Sequence, residues 1–298
     1  MSPLLTAQLL AILTAFGYAS SSTAARFGMR TSNPITAILT LVWITLLLYS
    51  PAAIHALRTA PVDTRGLLWL AAAGMAAPGL AGTWHYMGIR QIGLSRSTSI
   101  VGSSPLFAVI IAVLVLGENA RPLIYAGTLL IMAGITLLSH ERKSASDAGN
   151  KRRPFWSGFL YASGAAFMFG VAGVLRKAGI TLIPSVSVAL CAAAIGALAA
   201  ILLWNPFLPP EDRIRYGRKN IGYFLISATI NSLAHFAYFN ALKRAPISAV
   251  VPLAYTTPLF ALVFSWLFFR KMEQLNARVI AGAVLVCGGA ALVTLSRG

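Results

Sequence analysis

Long apolar runs separated by short polar stretches dominate the pattern of this chain. A helix needs about 20 mostly apolar residues to cross the hydrocarbon core of a bilayer, and the runs reach this length. Proline stands at several run boundaries, where it is tolerated at the start of a helix. The pattern predicts ten transmembrane helices, at residues 4–27, 34–57, 66–90, 95–116, 121–139, 155–177, 184–204, 220–243, 247–269 and 277–296.

The two halves of the chain resemble each other. The tetrapeptide Pro-Leu-Phe-Ala occurs at 105–108 and again at 258–261, and at the same offset Phe16-Gly17 corresponds to Phe169-Gly170. Self-similarity at a fixed period marks a duplicated unit. Each unit then holds five predicted helices, and because five is odd the two copies cross the membrane in opposite directions. Inverted repeats with a site at their interface are a recurrent architecture of secondary transporters.

A polar, charged stretch after the fifth predicted helix separates the two halves. We therefore divide the chain into a first five-helix repeat, 1–139, a linker, 140–154, and a second five-helix repeat, 155–298. The first 25 residues lack the basic start of a signal peptide and correspond to a helix of the second half, so we expect a retained first helix. The predicted fold class is an all-α integral membrane protein with ten transmembrane helices in two inverted five-helix repeats.

Composition supports a lipid environment. The chain is 57% hydrophobic and 10% charged, with a mean hydropathy of +0.75, whereas soluble domains carry about 25% charged residues. The net charge of +17 is spread in ones and twos between apolar runs, with clusters in two loops. No basic stripe interleaved with aromatics is present, which argues against nucleic acid as a partner. Basic loops flanking membrane spans suit anionic lipid headgroups instead.

Residues for catalysis are scarce. The chain has seven acidic residues, all in or beside predicted loops, and four histidines, with no paired carboxylates and no nucleotide-binding or metal-ligand motif. Cys191 and Cys287 lie in apolar runs, where cysteine behaves as a small hydrophobe. We therefore expect no enzymatic activity, no cofactor and no metal. Proton coupling through a buried carboxylate is disfavoured, although His85 and His235 titrate in the neutral range.

Two prolines interrupt equivalent helices. Pro105 and Pro258 fall inside the fourth and ninth predicted helices, and matched interruptions in two halves point to the substrate region of a transporter. A kink that serves packing alone is the alternative. The glycine pairs Gly127/Gly134 and Gly282/Gly289 are each seven residues apart and share one helix face, which predicts close helix packing.

The third and eighth predicted helices carry the polar residues that a substrate site requires. Polar groups are costly in a bilayer and usually face the bundle interior or a wet cavity. Taken singly, each histidine has the alternative of a hydrogen-bonded packing residue. The combination predicts one central cavity, with a substrate-binding lining of Tyr18, Trp43, Trp84, His85, Asn231, His235, Tyr238 and Tyr255.

The ordered, duplicated motifs resemble the drug/metabolite transporter superfamily, specifically its ten-helix members with two EamA-type repeats. The first copy of the motifs comprises 88–90, 103–107, Gly117-Glu118, Gly127 and Gly134. The second copy comprises 241–243, 256–260, Glu273, Gly282 and Gly289. The resemblance implies export of amino acids and other small metabolites across the bacterial inner membrane. It also implies a central cavity lined by the first helices of each half, and cytoplasmic termini.

The sequence gives two opposite indications of the side of the membrane on which the termini lie. Eight basic residues lie on the side of the termini and 16 on the other, and lysine and arginine excess marks the cytoplasm. The charge count therefore puts the termini outside, opposite to the expectation from the family. Two halves in one chain are compatible with a monomer.

The sequence therefore predicts a secondary transporter that exports amino acids or similar small metabolites by alternating access. The first alternative is exchange of phosphorylated or anionic metabolites, with a phosphate held by the basic residues Arg26, Arg90, Arg176, Lys177, Lys243 and Arg244. We favour a different interpretation of this set, in which the side chains lie at helix ends and reach lipid headgroups. An alternative of another class is a non-transporting membrane scaffold, which would usually present a longer loop than any found here.

Overall fold

The structure, a computed structural model, describes residues 2–28, 33–59, 61–140, 155–208, 213–214, 221–268 and 277–296. Within these ranges the chain is helical and contains no strand. Residues 141–154, most of the predicted linker, lie outside the described residues. The helices are α1 Pro3–Gly28, α2 Pro34–Thr59, α3 Thr64–Gly74, α4 Ala81–Ile92, α5 Leu94–Val101, α6 Ser104–Leu116, α7 Pro122–His140, α8 Phe155–Leu182, α9 Val186–Trp204, α10 Ile221–Arg244, α11 Ile247–Ala254, α12 Thr257–Phe268 and α13 Ala277–Leu295.

Seven helical stretches of the described chain are long and apolar enough to cross a membrane, and the shorter helices Pro122–Leu138 and Ile280–Leu295 are apolar as well. Large apolar side chains cover the outside of the bundle; Leu47, Leu114 and Phe207 are 70–79% exposed. Soluble monomers rarely expose extensive apolar surface. The protein is therefore an integral membrane protein.

Three of the predicted helices are each divided into two segments. A π-helical turn, Met75–Leu80, joins α3 to α4, and within it Ala77 leaves helical geometry with φ −152° and ψ 129°. The fourth predicted helix breaks at 102–103 and the ninth at 255–256. Pro105 and Pro258 follow these breaks in the first turns of α6 and α12, where the missing N–H of proline costs nothing. Mean hydropathy does not reveal the breaks, because short polar stretches such as Ser103-Ser104 and Thr256-Thr257 lie inside longer apolar runs.

The helices pack in pairs that repeat between the two halves. α1 packs on α10, while α8, which corresponds to α1, packs on α3 and α4. α1 also packs on α11 and α12, as α8 does on α5 and α6. The helices α2 and α9 pack on each other, and so do α7 and α13. Each contact therefore has a counterpart, as expected for two copies related by approximate twofold symmetry.

Small residues dominate the buried surface of α1. Ala7, Ala11, Ala15 and Ala19 recur every four residues on one face of α1 and are fully buried. A Cβ atom added at Gly17 would lie 2.7 Å from the Cβ of Ala234 on α10. Because lipid tails provide no hydrophobic driving force between helices, such close backbone approach supplies the packing energy.

The predicted glycine contact is confirmed for α7 and α13. A Cβ atom added at Gly127 would lie 2.7 Å from the carbonyl oxygen of Gly289, and one added at Gly134 would lie 2.6 Å from that of Gly282. The earlier glycine of α7 thus meets the later glycine of α13, so these two corresponding helices run antiparallel.

Replacing Gly289 by alanine should destabilise the protein. The added Cβ would lie 2.5 Å from the carbonyl oxygen of Gly127, so the two backbones must separate, at a cost of about 1–3 kcal/mol. The thermal unfolding midpoint of the purified protein in detergent measures this effect. The neighbouring Gly288 has nothing within 4 Å of an added Cβ, and Gly288→Ala provides the matched control. Equal midpoints for both variants would contradict the packing role.

Candidate functional site

Five side chains from three long helices and one helix break meet between the two halves. The rings of Tyr18 on α1 and His235 on α10 have centroids 5.1 Å apart. The guanidinium of Arg176 on α8 interacts electrostatically with Tyr18, His235, Tyr238 and Tyr255. We call Tyr18, Arg176, His235, Tyr238 and Tyr255 the central cluster. It draws on both repeats, because α1 belongs to the first and the other elements to the second.

Arg176 is the member of the central cluster whose position differs from the sequence prediction. Its side chain is only 9% exposed and donates from Nη2 to the carbonyl oxygen of Ala77 over 2.5 Å. Its Cζ lies over the ring of Tyr238, 5.9 Å from the ring centroid. The expectation that Arg176 reaches lipid headgroups from a helix end is therefore wrong.

The cause of this error is the end of one helix. The apolar run predicted a helix that ends at residue 177, which puts Arg176 at the membrane surface. The structure extends α8 by five residues to Leu182, so Arg176 lies six residues, roughly 9 Å, inside the helix end. Arginine side chains on a helix also point back toward its N-terminus, which here directs the guanidinium into the bundle. The sequence contained one signal of this interior position: Arg176 follows an apolar run and has no acidic residue nearby in sequence.

Asn231 lies one turn before His235 and connects α10 to α1. Its Nδ2 donates to the hydroxyl of Ser21 over 2.9 Å, and that hydroxyl lies 3.0 Å from the hydroxyl of Ser227. The backbone carbonyl of Asn231 is 3.0 Å from Nδ1 of His235. These bonds hold the amide and the imidazole in place on the side of α10 that faces α1.

Four buried polar atoms of the described chain have no hydrogen-bond partner. They are Arg176 Nε, Asn231 Oδ1, Trp84 Nε1 and His85 Nε2. Most buried polar groups in proteins are paired, and an unpaired one in a membrane is costly. Two of them, on Arg176 and Asn231, belong to or adjoin the central cluster, where they are available to a bound molecule.

A small cavity adjoins the central cluster. Thr45 of α2, Ala77 and Pro78 of the π-helical turn, Arg176 and His235 line its polar side, and α9 contributes alanines. The space open to the centre of a water-sized sphere is about 30 Å³, and one water needs roughly 10–15 Å³ by this measure. The cavity therefore has room for about two waters, so a metabolite enters only if the surrounding helices move apart.

The remaining predicted lining residues lie away from the central cluster. Trp43 is 53% exposed and lies two residues from Leu41 and Thr45, which line the cavity; positions two apart point to opposite sides of a helix. Trp84 packs on α8, where a Cβ added at Gly164 would meet its ring at 3.0 Å. His85 is the repeat counterpart of Tyr238, but the structure does not bring it into contact with the central cluster.

Two charged residues fix the turn that precedes α11, the buried helix that ends at Tyr255. Glu118 accepts hydrogen bonds from the backbone N–H groups of Ile247, over 2.8 Å, and Ser248, over 3.1 Å. Lys177 donates to the carbonyl oxygens of Leu242, over 2.6 Å, and Ala245, over 2.9 Å. A carboxylate at a helix N-terminus and an ammonium at a helix C-terminus both complement the helix dipole.

The break before α12 meets the corresponding break before α6. Tyr255 caps the C-terminus of α11, and α11 packs on α6, the helix that follows the other break. The two interruptions therefore lie close to each other. Pro105 and Pro258 stand in the first turns of α6 and α12, just after the breaks.

The other basic residues of the proposed phosphate clamp bond at helix ends. Lys243 donates to the carbonyl oxygen of Pro184 over 2.5 Å, and Arg244 donates to the carbonyl and amide oxygens of Asn240, both over 2.8 Å. Both side chains are exposed. They do not join Arg176. No group of three or more His, Cys, Asp or Glu side chains suitable for a metal occurs in the part of the chain that the structure describes.

Apolar helices, two repeated halves and a buried polar cluster between them define a membrane transporter of the helical, repeat-built class. The chain belongs to the EamA-like transporter family, whose model matches residues 5–140 and 156–295. The two matched segments correspond to the two halves recognised in the sequence. The expectation of a transporter agrees with this family.

Comparison with individual proteins agrees with this family. The chain is 27% identical over 135 residues to the pseudopaline exporter CntI of Pseudomonas aeruginosa, in strains UCBPP-PA14 and ATCC 15692. The match covers 44% of this chain and 46% of the exporter, so the chain spans about half the length of the curated relatives it matches. A protein of known crystal structure has the same fold, with a TM-score of 0.75 at 18% identity over 97% of this chain and 96% of that one.

Replacing Glu118 by alanine should lower the unfolding midpoint in detergent. Ile247 and Ser248 are 0% and 1% exposed, so their N–H groups would lose an acceptor that water cannot replace, at a cost of about 1–3 kcal/mol. Glu118→Gln, which keeps one acceptor oxygen, should cost less. Asp63→Ala removes an exposed acceptor for Arg65 N–H and is the control with the smaller expected loss. An unchanged midpoint for Glu118→Ala would show that α11 does not depend on this carboxylate.

Proposed function

We propose that this protein exports amino acids or similar small zwitterionic metabolites by alternating access through a central cavity. The observation that carries the proposal is the central cluster, a set of buried polar and aromatic side chains contributed by both repeats beside a cavity. Transporters built from inverted repeats bind substrate at such an interface and at interrupted helices. The aromatic rings would contact an apolar side group, and the amide, imidazole and guanidinium groups would meet the charged ends.

The proposed architecture is ten transmembrane helices in two inverted five-helix repeats. In it, α3 and α4 form one span, as do α5 and α6, and α11 and α12. The antiparallel contact of α7 with α13 supports the inversion, because corresponding helices of a parallel repeat would run the same way. α10 is not among the seven stretches that are long and apolar enough to cross a membrane, because Asn231, His235 and Asn240 lower its mean hydropathy.

The transport cycle would widen the cavity toward one side of the membrane and then the other. In the described conformation the cavity holds only about two waters, whereas sites for small molecules usually measure about 300–1,000 Å³. The breaks at Ala77, 102–103 and 255–256 all lie near the central cluster, so they provide places where helix halves can tilt without disrupting a continuous helix.

The relative named as a pseudopaline exporter supports the outward direction of transport. We place the protein in a bacterial inner (plasma) membrane for the same reason. The sidedness of the termini remains a separate proposal: the family resemblance favours cytoplasmic termini, and an accessibility assay on a cysteine introduced near Ser2 tests it directly.

Counterflow in proteoliposomes with a labelled panel of amino acids and phosphorylated metabolites tests the proposal, with and without a pH gradient. Wild-type protein should exchange one or more amino acids. His235→Ala or Tyr238→Ala should lower the exchange rate about tenfold or more, because each removes a side chain of the central cluster that would contact substrate. Tyr238→Phe keeps the ring and controls for packing. Unchanged exchange in both alanine variants, with folding intact, would refute the cavity assignment.

The phosphate alternative has its own test. If a phosphorylated metabolite is the substrate, the double replacement Lys243→Gln and Arg244→Gln should abolish its binding. An exporter of amino acids should keep most of its exchange rate, because both side chains bond exposed oxygens at helix ends. The same counterflow assay decides between these results. Absence of any exchange by folded protein would favour the scaffold alternative.

A further inference from the structure

Arg176 carries a permanent charge into the interior of a membrane protein. Its guanidinium stays protonated at any physiological pH, and it is 9% exposed. Buried charges are normally paired with an opposite charge. In the described part of the chain the carboxylates are Asp63, which accepts from Arg65 N–H, and Glu118, which accepts from Ile247 and Ser248. Neither is a partner of Arg176, so its positive charge is balanced by no carboxylate of the described residues.

Neutral groups hold the guanidinium in position. Nη2 donates to the carbonyl oxygen of Ala77, which the non-helical geometry of that residue turns away from its helix. The ring of Tyr238 faces the cation, with its centroid 5.9 Å from Cζ. Nε, in contrast, is buried and donates to nothing. The guanidinium is thus oriented by uncharged groups and retains an N–H donor for a further group.

The side chain borders the cavity together with Thr45, Pro78 and His235. Nε itself is closed off from the cavity in the described conformation, so a molecule in the cavity reaches it only when the surrounding helices move apart. Arginine binds carboxylates and phosphates through parallel N–H donors. Within the central cluster Arg176 is the one cationic side chain of permanent charge. A carboxylate would form a neutral pair with it, whereas a phosphate monoester, with about two charges, would leave a buried excess of negative charge.

We propose that Arg176 is the anchor for a carboxylate of the transported molecule and that Nε donates one of the hydrogen bonds. This assignment rests on the proposed function, since it names a chemical group of the substrate for the same cavity. Carboxylate binding would also affect the break between α3 and α4. The guanidinium that binds substrate also bonds Ala77 of the other repeat, so the substrate acts on a contact between the two repeats.

Matched ligands test the anchor on the wild-type protein. The purified protein in detergent is heated with each of the 20 amino acids, with their carboxamides, and with the corresponding decarboxylated amines. Amino acids that stabilise the protein should bind at least about tenfold more tightly than their carboxamides, the change expected from one charge-assisted hydrogen bond. Equal stabilisation by acid and amide would overturn the proposal.

Variants separate the role of the anchor from the role of charge alone. Arg176→Gln should remove the preference for acid over amide, and Arg176→Lys should restore it only in part, because an ammonium lacks the planar donor pair. Lys177→Gln removes one positive charge at the adjacent position, where the side chain bonds Leu242 and Ala245. This control should keep the full preference. If Lys177→Gln abolishes the preference as well, the anchor assignment is wrong.

Failure of this proposal and failure of the proposed function give different results. Counterflow of an amino acid by wild-type protein, with no preference for acid over amide, would retain the exporter and refute the anchor. A preference that depends on Arg176, without counterflow, would support the anchor and refute transport of amino acids. Stabilisation only by phosphorylated compounds, lost in Arg176→Gln, would refute the carboxylate and support the phosphate alternative.

Discussion

The hydrogen bond from Arg176 to the carbonyl oxygen of Ala77 joins the two halves of this protein at the point where one span leaves helical geometry. A bilayer interior offers no water to either group, so each depends on the other. The broken helix exposes an acceptor that a continuous helix would have used, and the arginine supplies a donor. This pair brings α8 against the π-helical turn, and the cavity lies beside it.

Around this contact, packing relies on small residues more than on large apolar ones. Gly17 of α1 lies against Ala234 of α10, and glycines line the contact of α7 with α13. Large apolar side chains cover the outside of the bundle. Helices in lipid gain stability from close contact and interhelical hydrogen bonds. The pairs Ser21–Ser227 and Thr45–Ser232, at 3.0 Å and 2.7 Å, supply such bonds between α1, α2 and α10.

The central cluster combines residues that the sequence analysis predicted with one that it misplaced. Tyr18, His235, Tyr238 and Tyr255 were proposed as cavity residues, and the structure brings them together around Arg176. Trp43, Trp84 and His85 were proposed on the same grounds but lie away from the cluster. Polarity inside an apolar run indicates which helices face the interior. It does not indicate which side of a helix faces which neighbour.

Sequence alone determined the membrane environment, the helical fold class, the duplication and the glycine contact of α7 with α13. Each depends on a local or periodic signal: hydropathy over about 20 residues, a repeated motif, or a fixed spacing on one helix face. Only the tertiary structure decided that the third span breaks at Ala77, how far α8 extends and which side chains meet Arg176. Those features arise from contacts between residues far apart in the chain, such as Arg176 with Ala77 and Glu118 with Ile247, and no local pattern encodes them.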